Sequence, residues 1–484
     1  MSAIGRGILS SVERAIASEP RRPNALPRFL ASRPLIHRAL GAALRSRPCR
    51  VLVADLCFEA ALKYGDVDPW DALRSLSAYR RFSEDSRINA ISEICERADP
   101  DGARRHIAGA LGNLGPEQKA ALLERVFYNF ILIGLDRKVA ALRGAEAGGA
   151  VPNLSAVLLS LCSTCNLQCI DCESADDRGG PDATSGQIDY AIAQARRLNV
   201  FHVVIIGKGE PFLGDARKEL VFRTARKHPD LNFIVFTNGT TLEEGDIVRM
   251  RELRNFFALV SLDGLEETND RRRGRGVYAR AAETLGMMKR HGVLCGFSAT
   301  VFKWNYRHVL SDEFLAAMSA LGCRIGVYLS YIPLSGAAGV EMTLGDGERE
   351  EYEALYARAS GSSPIPLLDP ELFERPHGCR AKRGSVVYID AATGKVMPCV
   401  KTPFAPESCN LYTRRHRDRL REILQSDFYV NYRNLYETCG QCSVDLQGEL
   451  ARYVTEPSVS ERDRERADRF RRKTPLSSPP RKRD

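Results

Sequence analysis

Between Leu154 and Ser335 the sequence alternates short apolar runs with amphipathic stretches, and this alternation constrains the fold more than any other feature. The runs predicted as strands are AVLLSL, FHVVIIG, FIVFTNG, FALVSLDG, CGFSATVF and CRIGVYLSYI. Strand and helix repeats of this kind form a parallel sheet, either open or rolled into a barrel. In such sheets the functional residues follow the carboxyl ends of the strands. We therefore predict an α/β fold with its chemistry in the loops after the strands.

The alternation divides the chain into predicted regions. Residues 1–149 show apolar positions three and four apart and almost no strand pattern, which predicts an all-helical domain that ends at the linker GAEAGGAVPN. Residues 150–349 form the predicted α/β domain, and residues 350–450 a small α+β domain stapled by cysteines. That small domain contains one predicted hairpin, SVVYIDAATGKVMPC, and residues 451–484 read as a basic, disordered tail.

Composition narrows the class of protein. Hydrophobic residues make up 44% of the 484 residues and charged residues 27%, which is typical of globular proteins and excludes a disordered or membrane-embedded chain. The amino terminus lacks the apolar core of a secretory signal, so we expect a cytoplasmic protein without membrane association. The tail holds 11 Lys or Arg against 6 Asp or Glu, or +5 of the net +9, so the basic charge predicts no nucleic-acid partner.

Fourteen cysteines are many for a cytoplasmic protein, and such a count favours metal or redox chemistry over disulfides. Five cysteines are isolated, and we interpret them as small buried hydrophobic residues: Cys49, Cys57, Cys95, Cys295 and Cys323. The other nine fall into one group within residues 162–172 and a second within residues 379–442.

The first group lies in LSLCSTCNLQCIDCES, directly after the first predicted strand. Cys165, Cys169 and Cys172 have the spacing C-x3-C-x2-C, and Cys162 precedes them by three residues. Three thiolates on a four-iron cluster leave one iron open to bind a small molecule. Four thiolates, with Cys162 as the fourth, would instead suit a structural zinc ion, so the zinc alternative stays open.

This motif resembles that of the radical S-adenosylmethionine (radical SAM) superfamily, and further matches follow the next strands. The resemblance implies a partial (β/α)6 TIM-like barrel in which Cys165, Cys169 and Cys172 hold a catalytic 4Fe-4S cluster that binds S-adenosylmethionine. The segment Gly207-Lys208-Gly209-Glu210-Pro211 looks like the GGEP segment of the family, where backbone groups and the glutamate receive the methionine ammonium.

The resemblance also implies cofactor contacts on the third and fourth strands. Asn238 follows the third strand, Ser261 corresponds to a serine that contacts the ribose or carboxylate, and Arg273 to an arginine that pairs with the carboxylate. An arginine fork suits a carboxylate because it donates two parallel hydrogen bonds. Two positions depart from the family pattern. Lys208 replaces the second glycine of GGEP, and Asp171 stands where many relatives have an aromatic residue against the adenine.

The second cysteine group has the pattern Cys379-x14-Gly394-x4-Cys399, followed by Cys439-x2-Cys442. Its first half resembles the start of the SPASM extension of radical SAM enzymes, and the whole looks like the shortened Twitch version. The resemblance implies that Cys379, Cys399, Cys439 and Cys442 hold one auxiliary 4Fe-4S cluster. A structural zinc site is the alternative, since four thiolates suit either metal. Cys409 has no assignment.

The implied activity is the reductive cleavage of S-adenosylmethionine to a 5′-deoxyadenosyl radical that abstracts hydrogen from a substrate C–H bond. We expect the substrate to be a small-molecule biosynthetic intermediate that is oxidised or rearranged, and the electron donor to be a flavodoxin or ferredoxin. One alternative is a maturase of a ribosomal peptide or protein. The other is a non-catalytic binding protein stabilised by zinc or a cluster.

Overall fold

The computed structural model describes residues 154 and 156–434, except for 199, 201, 230, 254, 333–339, 375–378, 383 and 403–404. The predicted helical domain, the predicted tail, Cys439 and Cys442 lie outside these residues. The described part contains one nine-stranded sheet in the order β7-β6-β5-β4-β3-β2-β1-β8-β9.

The six predicted strands form the parallel centre of this sheet, which confirms the expected α/β fold. Each strand pairs in parallel with the next in the chain. They are β1 (Ala156–Ser160), β2 (His202–Ile205), β3 (Asn232–Thr237), β4 (Phe256–Ser261), β5 (Cys295–Val301) and β6 (Gly326–Ser330). All six carboxyl ends therefore point to the same edge, where the predicted site residues lie.

Helices follow the strands and cover the sheet. They are α1 (Ser185–Arg196), α2 (Asp215–Lys227), α3 (Glu244–Glu252), α4 (Glu266–Arg273), α5 (Val277–Arg290), α6 (Tyr306–Val309), α7 (Asp312–Ala320), α8 (Asp346–Ser362), α9 (Pro370–Glu374), α10 (Arg419–Leu424) and α11 (Asp427–Asn434). Helix α1 begins with a capping box in which Thr184 and Gln187 bond each other's backbone. Helix α8 runs through residues 349–350, where the sequence suggested a domain boundary.

The described part of the C-terminal region adds strands to both edges of the six-stranded sheet. Strand β7 (Leu367–Leu368) pairs in parallel with β6, and β8 (Val386–Asp390) pairs in parallel with β1. Strand β9 (Val396–Met397) pairs antiparallel with β8, which confirms the predicted hairpin. The hairpin therefore belongs to the same sheet as the predicted barrel strands.

The core lies on both faces of this sheet, between the strands and the helices. Fully buried aromatic side chains from three elements meet on one side, where Phe222 and Phe256 have ring centroids 6.1 Å apart. Cys295 and Cys323 are both 0% exposed, which confirms that they are buried packing residues. In the described residues, no helix is long and apolar enough to cross a membrane.

Candidate active site

The predicted cluster ligands lie on one loop after β1, residues 161–174, which we call the cysteine loop. Cys165, Cys169 and Cys172 are half-buried on it, and none of them is in a disulfide. Three thiols on one loop are the donor set that an iron–sulfur cluster requires. Within the described residues, no three Cys, His, Asp or Glu side chains already converge on one metal-sized point. The donor type fits a cluster, and the side chains must converge when it binds.

Cys162 packs differently from the other three thiols. Its side chain is 6% exposed, and its sulfur lies 3.0 Å from the position that a Cβ on Gly209 would take. Burial raises the pKa of this thiol to about 12, against the opposing effect of the Arg217 charge. The structure thus places Cys162 in the packing between the cysteine loop and the residues after β2.

The glycines after β2 allow close backbone approach to the cysteine loop. A Cβ on Gly209 would lie 2.5 Å from the carbonyl oxygen of Thr164, and a Cβ on Gly207 would lie 2.6 Å from the hydroxyl of Tyr388. Gly207 also has a φ of 127°, a conformation that side-chain-bearing residues rarely adopt. Glycine is therefore required here by packing against the cysteine loop and β8.

Glu210 joins the ends of β2 and β3. It is 2% exposed, and its carboxylate accepts hydrogen bonds from Thr237 Oγ1 at 2.6 Å, Asn238 N at 2.7 Å and Phe212 N at 3.1 Å. Burial raises the pKa of Glu210, and these hydrogen bonds act in the opposite direction. Its own amide donates to Thr164 O at 3.0 Å, so the residue also holds the cysteine loop.

Asn238 contacts the first predicted cluster ligand. Its Nδ2 donates to Asn166 Oδ1 at 2.9 Å and lies 3.7 Å from Cys165 Sγ, while the Leu167 amide lies 3.4 Å from the same sulfur. Burial raises the pKa of the Cys165 thiol. Donors directed at a sulfur stabilise its thiolate, which is the form that binds metal.

A buried ion cluster lies at the ends of β4 and β5. The carboxylate of Asp263 is 0% exposed and accepts from Arg272 Nη1 and Arg273 Nε, both at 2.7 Å, and from Thr300 N at 2.8 Å. Burial opposes ionisation of Asp263, but the charges of Arg273 and Arg272 outweigh it and lower its pKa to about 2. Sequence reasoning named Arg273 but gave no role to Asp263 or Arg272. The sequence did contain a signal for this ion cluster, because Asp263 follows the fourth predicted strand and a run of three arginines, residues 271–273, comes shortly after it.

Arg272 holds the cysteine loop from the side opposite to Glu210. Its Nε donates to Ile170 O at 3.2 Å, and its carbonyl accepts from Ile170 N at 2.9 Å. Its guanidinium carbon lies 4.6 Å from the ring centroid of Phe302. The loop segment between Cys169 and Cys172 is thus fixed to α4.

A cavity of about 270 Å³ opens beside this contact. It is lined by Ile170, Asp171, Arg271, Arg272, Lys303, Trp304, Glu341 and Met342. Asp171 has a φ of 51°, in the left-handed region that Asp and Asn tolerate better than other side-chain-bearing residues. This conformation gives a local reason for Asp at the position where related sequences have an aromatic residue.

Ser261 and Lys208 complete the predicted positions at this edge of the sheet. Ser261 Oγ lies 3.2 Å from Ser298 Oγ on β5, so the ends of β4 and β5 are joined through their serine side chains. Lys208 Nζ contacts Asp390 Oδ2 at 2.7 Å and Asp177 Oδ1 at 3.5 Å. The residue that departs from the GGEP pattern thereby connects the segment after β2 to the end of β8.

Three cysteines of the second group lie within the described residues. Cys379 and Cys399 are half-buried, whereas Cys409 is 1% exposed within the main core, where burial raises its pKa to about 11. The turn between β8 and β9 needs Gly394, which has a φ of 79° and no room for a Cβ beside Tyr412. We call residues 379–402 the C-terminal hairpin region.

Comparisons with known proteins agree with this arrangement. The family model described as the Radical SAM superfamily matches residues 159–315. Fe-coproporphyrin III synthase of Methanosarcina barkeri (strain Fusaro / DSM 804) is 27% identical over 155 residues, covering 32% of this chain and 38% of its own length. Sporulation killing factor maturation protein SkfB of Bacillus subtilis (strain 168) is 27% identical over 245 residues, covering 50% of this chain and 59% of its own. The chain thus spans between two fifths and three fifths of these relatives.

The fold also resembles a solved structure. SuiB of Streptococcus suis, in its complex with the precursor peptide SuiA, superimposes with a TM-score of 0.50 at 15% identity. The similarity covers 72% of this chain and 80% of that one. Residues 159–315, which include the cysteine loop at the carboxyl end of the parallel sheet, therefore match the radical SAM superfamily, and the fold of the chain is similar to that of SuiB.

Proposed function

We propose that this protein cleaves S-adenosylmethionine reductively and uses the 5′-deoxyadenosyl radical to abstract hydrogen from a substrate C–H bond. The observation that carries the proposal is the cysteine loop, which presents Cys165, Cys169 and Cys172 at the carboxyl end of the sheet. A 4Fe-4S cluster bound there would supply the electron for the cleavage, since three thiolates leave one iron open to the cofactor.

The residues after β2 are suited to receive the methionine ammonium. Backbone groups of Gly207 and Gly209 and the carboxylate of Glu210 form the proposed site. Because Glu210 already accepts three hydrogen bonds from its own chain, its carboxylate is fixed in place between the ends of β2 and β3. Asn238 supports the same site through its contacts with Cys165 and Asn166.

The ion cluster after β4 is suited to receive the methionine carboxylate. Arg273 uses Nε to bond Asp263. Within the described residues, the two terminal nitrogens of Arg273 make no hydrogen bond, so these remain for a ligand carboxylate. Asp263 therefore orients the guanidinium of Arg273, and Ser261, the last residue of β4, is available for a ribose or carboxylate contact.

The second cysteine group is proposed to hold an auxiliary 4Fe-4S cluster through Cys379, Cys399, Cys439 and Cys442. A fully ligated cluster near the substrate could accept an electron, which favours net oxidation of a small-molecule intermediate. A structural zinc ion at the same thiols is the alternative. The protein would act in the cytoplasm with a flavodoxin or ferredoxin as donor.

Peptide maturation is the second candidate function, and the comparisons favour it specifically. SkfB is named as a maturation protein, and the SuiB structure contains a bound precursor peptide. The SkfB match is the longer of the two sequence matches, at 245 residues against 155. Assaying oxidation of small molecules and modification of short ribosomal peptides in parallel separates the two candidates.

The test of the proposed function is deoxyadenosine formation by anaerobically reconstituted protein with a reductant. Wild type should form it, and Cys169→Ala should form none. Cys162→Ala is the matched control, because Cys162 belongs to the same loop but packs against Gly209. Loss of bound zinc in Cys162→Ala would favour the four-thiolate zinc alternative. Zinc without iron, and no deoxyadenosine from wild type, would establish a metal-stabilised binding protein and overturn the proposal.

A further inference from the structure

The six-stranded part of the sheet is open between β1 and β6, which do not pair with each other. Strand β8 extends the sheet from β1, and β7 extends it from β6. The chain then leaves β9 through Cys399 and a tight turn, in which the Thr402 amide donates to Cys399 O at 3.1 Å. Lys401 lies in this turn, between a predicted auxiliary ligand and the opposite edge of the opening.

The ammonium of Lys401 bonds to elements on the far side of that opening. Its Nζ donates to Ser330 O at the end of β6 at 2.8 Å, and it forms an ion pair with Glu371 of α9. The side chains of Lys401 and Glu371 are only 12% and 15% exposed, so water screens this pair weakly.

The cysteine loop is bonded next to the same strand end. Glu173, the residue after Cys172, accepts from Ile332 N at 3.1 Å, and Ile332 lies two residues beyond Ser330, whose carbonyl accepts from Lys401. The turn after Cys399 and the loop that carries Cys172 are therefore both bonded to the chain at the end of β6.

We propose that Lys401 is a positioning residue that latches the Cys399 turn to the end of β6, next to the point where Glu173 of the cysteine loop is bonded, and so closes the open side of the barrel mouth. The latch fixes the C-terminal hairpin region relative to the cysteine loop. It rests on the proposed function only in that the two loops would carry the two clusters.

The start of α9, which carries Glu371, is itself held by hydrogen bonds. Glu371 lies in the first turn of α9, where the Asp369 carboxylate accepts from the Glu371 and Leu372 amides at 2.8 and 3.1 Å. Tyr352 of α8 donates to the same carboxylate at 2.6 Å. Removing the lysine should therefore loosen the turn and the cysteine loop more than it loosens α9.

The experiment is amide hydrogen exchange on the full-length, anaerobically reconstituted protein, comparing wild type with Lys401→Met. We expect exchange to be about tenfold faster in peptides covering residues 396–402 and 328–332, because both lose the same cross-link. Lys401→Arg should restore slow exchange, since a guanidinium can still bond Ser330 O and Glu371. Lys227→Met is the matched control, because Lys227 forms an exposed pair with Asp189 far along α2 and should change neither peptide.

A second variant distinguishes loss of the latch from misfolding of the protein. Glu371→Gln leaves the lysine in place, and it should raise exchange in residues 396–402 less than Lys401→Met does. Unchanged exchange in residues 328–332 of Lys401→Met, or equal exchange in the Met and Arg variants, would overturn the latch. Absence of deoxyadenosine formation in wild type would refute the proposed function alone, because the exchange measurement does not depend on turnover.

Discussion

The cysteine loop and the C-terminal hairpin region both present thiols at the same edge of one sheet, but the chain holds them differently. The cysteine loop carries its three predicted ligands within eight residues, and two buried residues hold it at two points, through the Glu210 amide and through the backbone and guanidinium of Arg272. The hairpin region carries Cys379 and Cys399 on either side of a strand that pairs with β1. Its position depends on β8 and on two lysine contacts, Lys208 with Asp390 and Lys401 with Glu371. Disturbing a support that belongs to one region alone should therefore leave the other largely intact, whereas removing Lys208 or Lys401, which connect the two regions, should affect both.

The largest expected effect comes from Asp263. Asp263→Ala leaves Arg272 and Arg273 buried without their shared partner, and breaking a buried ion pair in this way costs about 3 to 5 kcal/mol. The free energy of unfolding from urea titration measures this, and we also expect the barrel iron to be lost because Arg272 holds the cysteine loop. Asp189→Ala is the control, since its pair with Lys227 is exposed and should contribute about 1 kcal/mol or less. Equal losses in both variants would contradict the role of the ion cluster.

A smaller loss is expected from a pair of glycine substitutions that separates the two regions. Gly209→Ala places a Cβ 2.5 Å from Thr164 O and should displace the cysteine loop at a cost of about 1 to 3 kcal/mol. Gly394→Ala places one 2.4 Å from the Tyr412 ring and should disturb the hairpin turn instead. Iron and sulfide analysis should show loss of the barrel cluster in the first variant and of the auxiliary cluster in the second.

The control for these variants is Gly186→Ala in α1, where nothing lies within 4 Å of the added Cβ and alanine favours the helix. Loss of the same cluster in both glycine variants would show that the two regions are not supported independently.

The pH dependence of stability offers a second test of the ion cluster. The pKa of Asp263 is lowered from 3.8 to about 2, so its stabilising effect is present above about pH 4 and is lost as the pH falls through 2. At 1.36 kcal/mol for each pKa unit, the shift corresponds to about 2 kcal/mol. Chemical denaturation of the protein without metal at pH 5 and pH 2.5 should show this loss in wild type. Asp263→Asn should lack this component, and an identical pH dependence in both proteins would contradict the assignment.

The smallest expected effect is at the junction of the two regions. Lys208→Met leaves Asp390 without its cation at 2.7 Å, and we expect a loss of about 1 to 2 kcal/mol in the free energy of unfolding. Amide exchange should rise in β8 and in residues 207–210 together. A rise confined to one of these segments would mean that Lys208 does not connect them.

The six central strands were predictable from the sequence because each is a short apolar run followed by a stretch with the periodicity of a helix. The sequence also predicted the hairpin, whose Gly394 lies in a turn that only glycine fits. It did not predict α8, because that helix buries little more than Tyr352 and Ala359 and therefore lacks a clear apolar stripe. Strand β7 has only two residues, too few to show the alternation of apolar and polar side chains that marks a strand.

The site was partly predictable for the same kind of reason. Local spacing identified Cys165, Cys169 and Cys172, and the neighbouring motifs identified Glu210 and Arg273. The pairing of β8 with β1, and the contacts of Lys401 with β6, join residues more than 70 positions apart and leave no local pattern. Such contacts follow from the order of the strands in the sheet, which sequence spacing does not encode. The set Cys379, Cys399, Cys439 and Cys442 stays a prediction, since two of its members lie outside the described residues.

The central claim is that the two cysteine groups bind separate clusters and that only the one on the cysteine loop cleaves S-adenosylmethionine. The most direct measurement is the iron and sulfide content, with deoxyadenosine formation, of wild type and of Cys165→Ala/Cys169→Ala/Cys172→Ala after anaerobic reconstitution. We predict about eight irons in wild type and about four in the triple variant, with deoxyadenosine from wild type only. Equal iron in both proteins, or deoxyadenosine from the triple variant, would contradict the account.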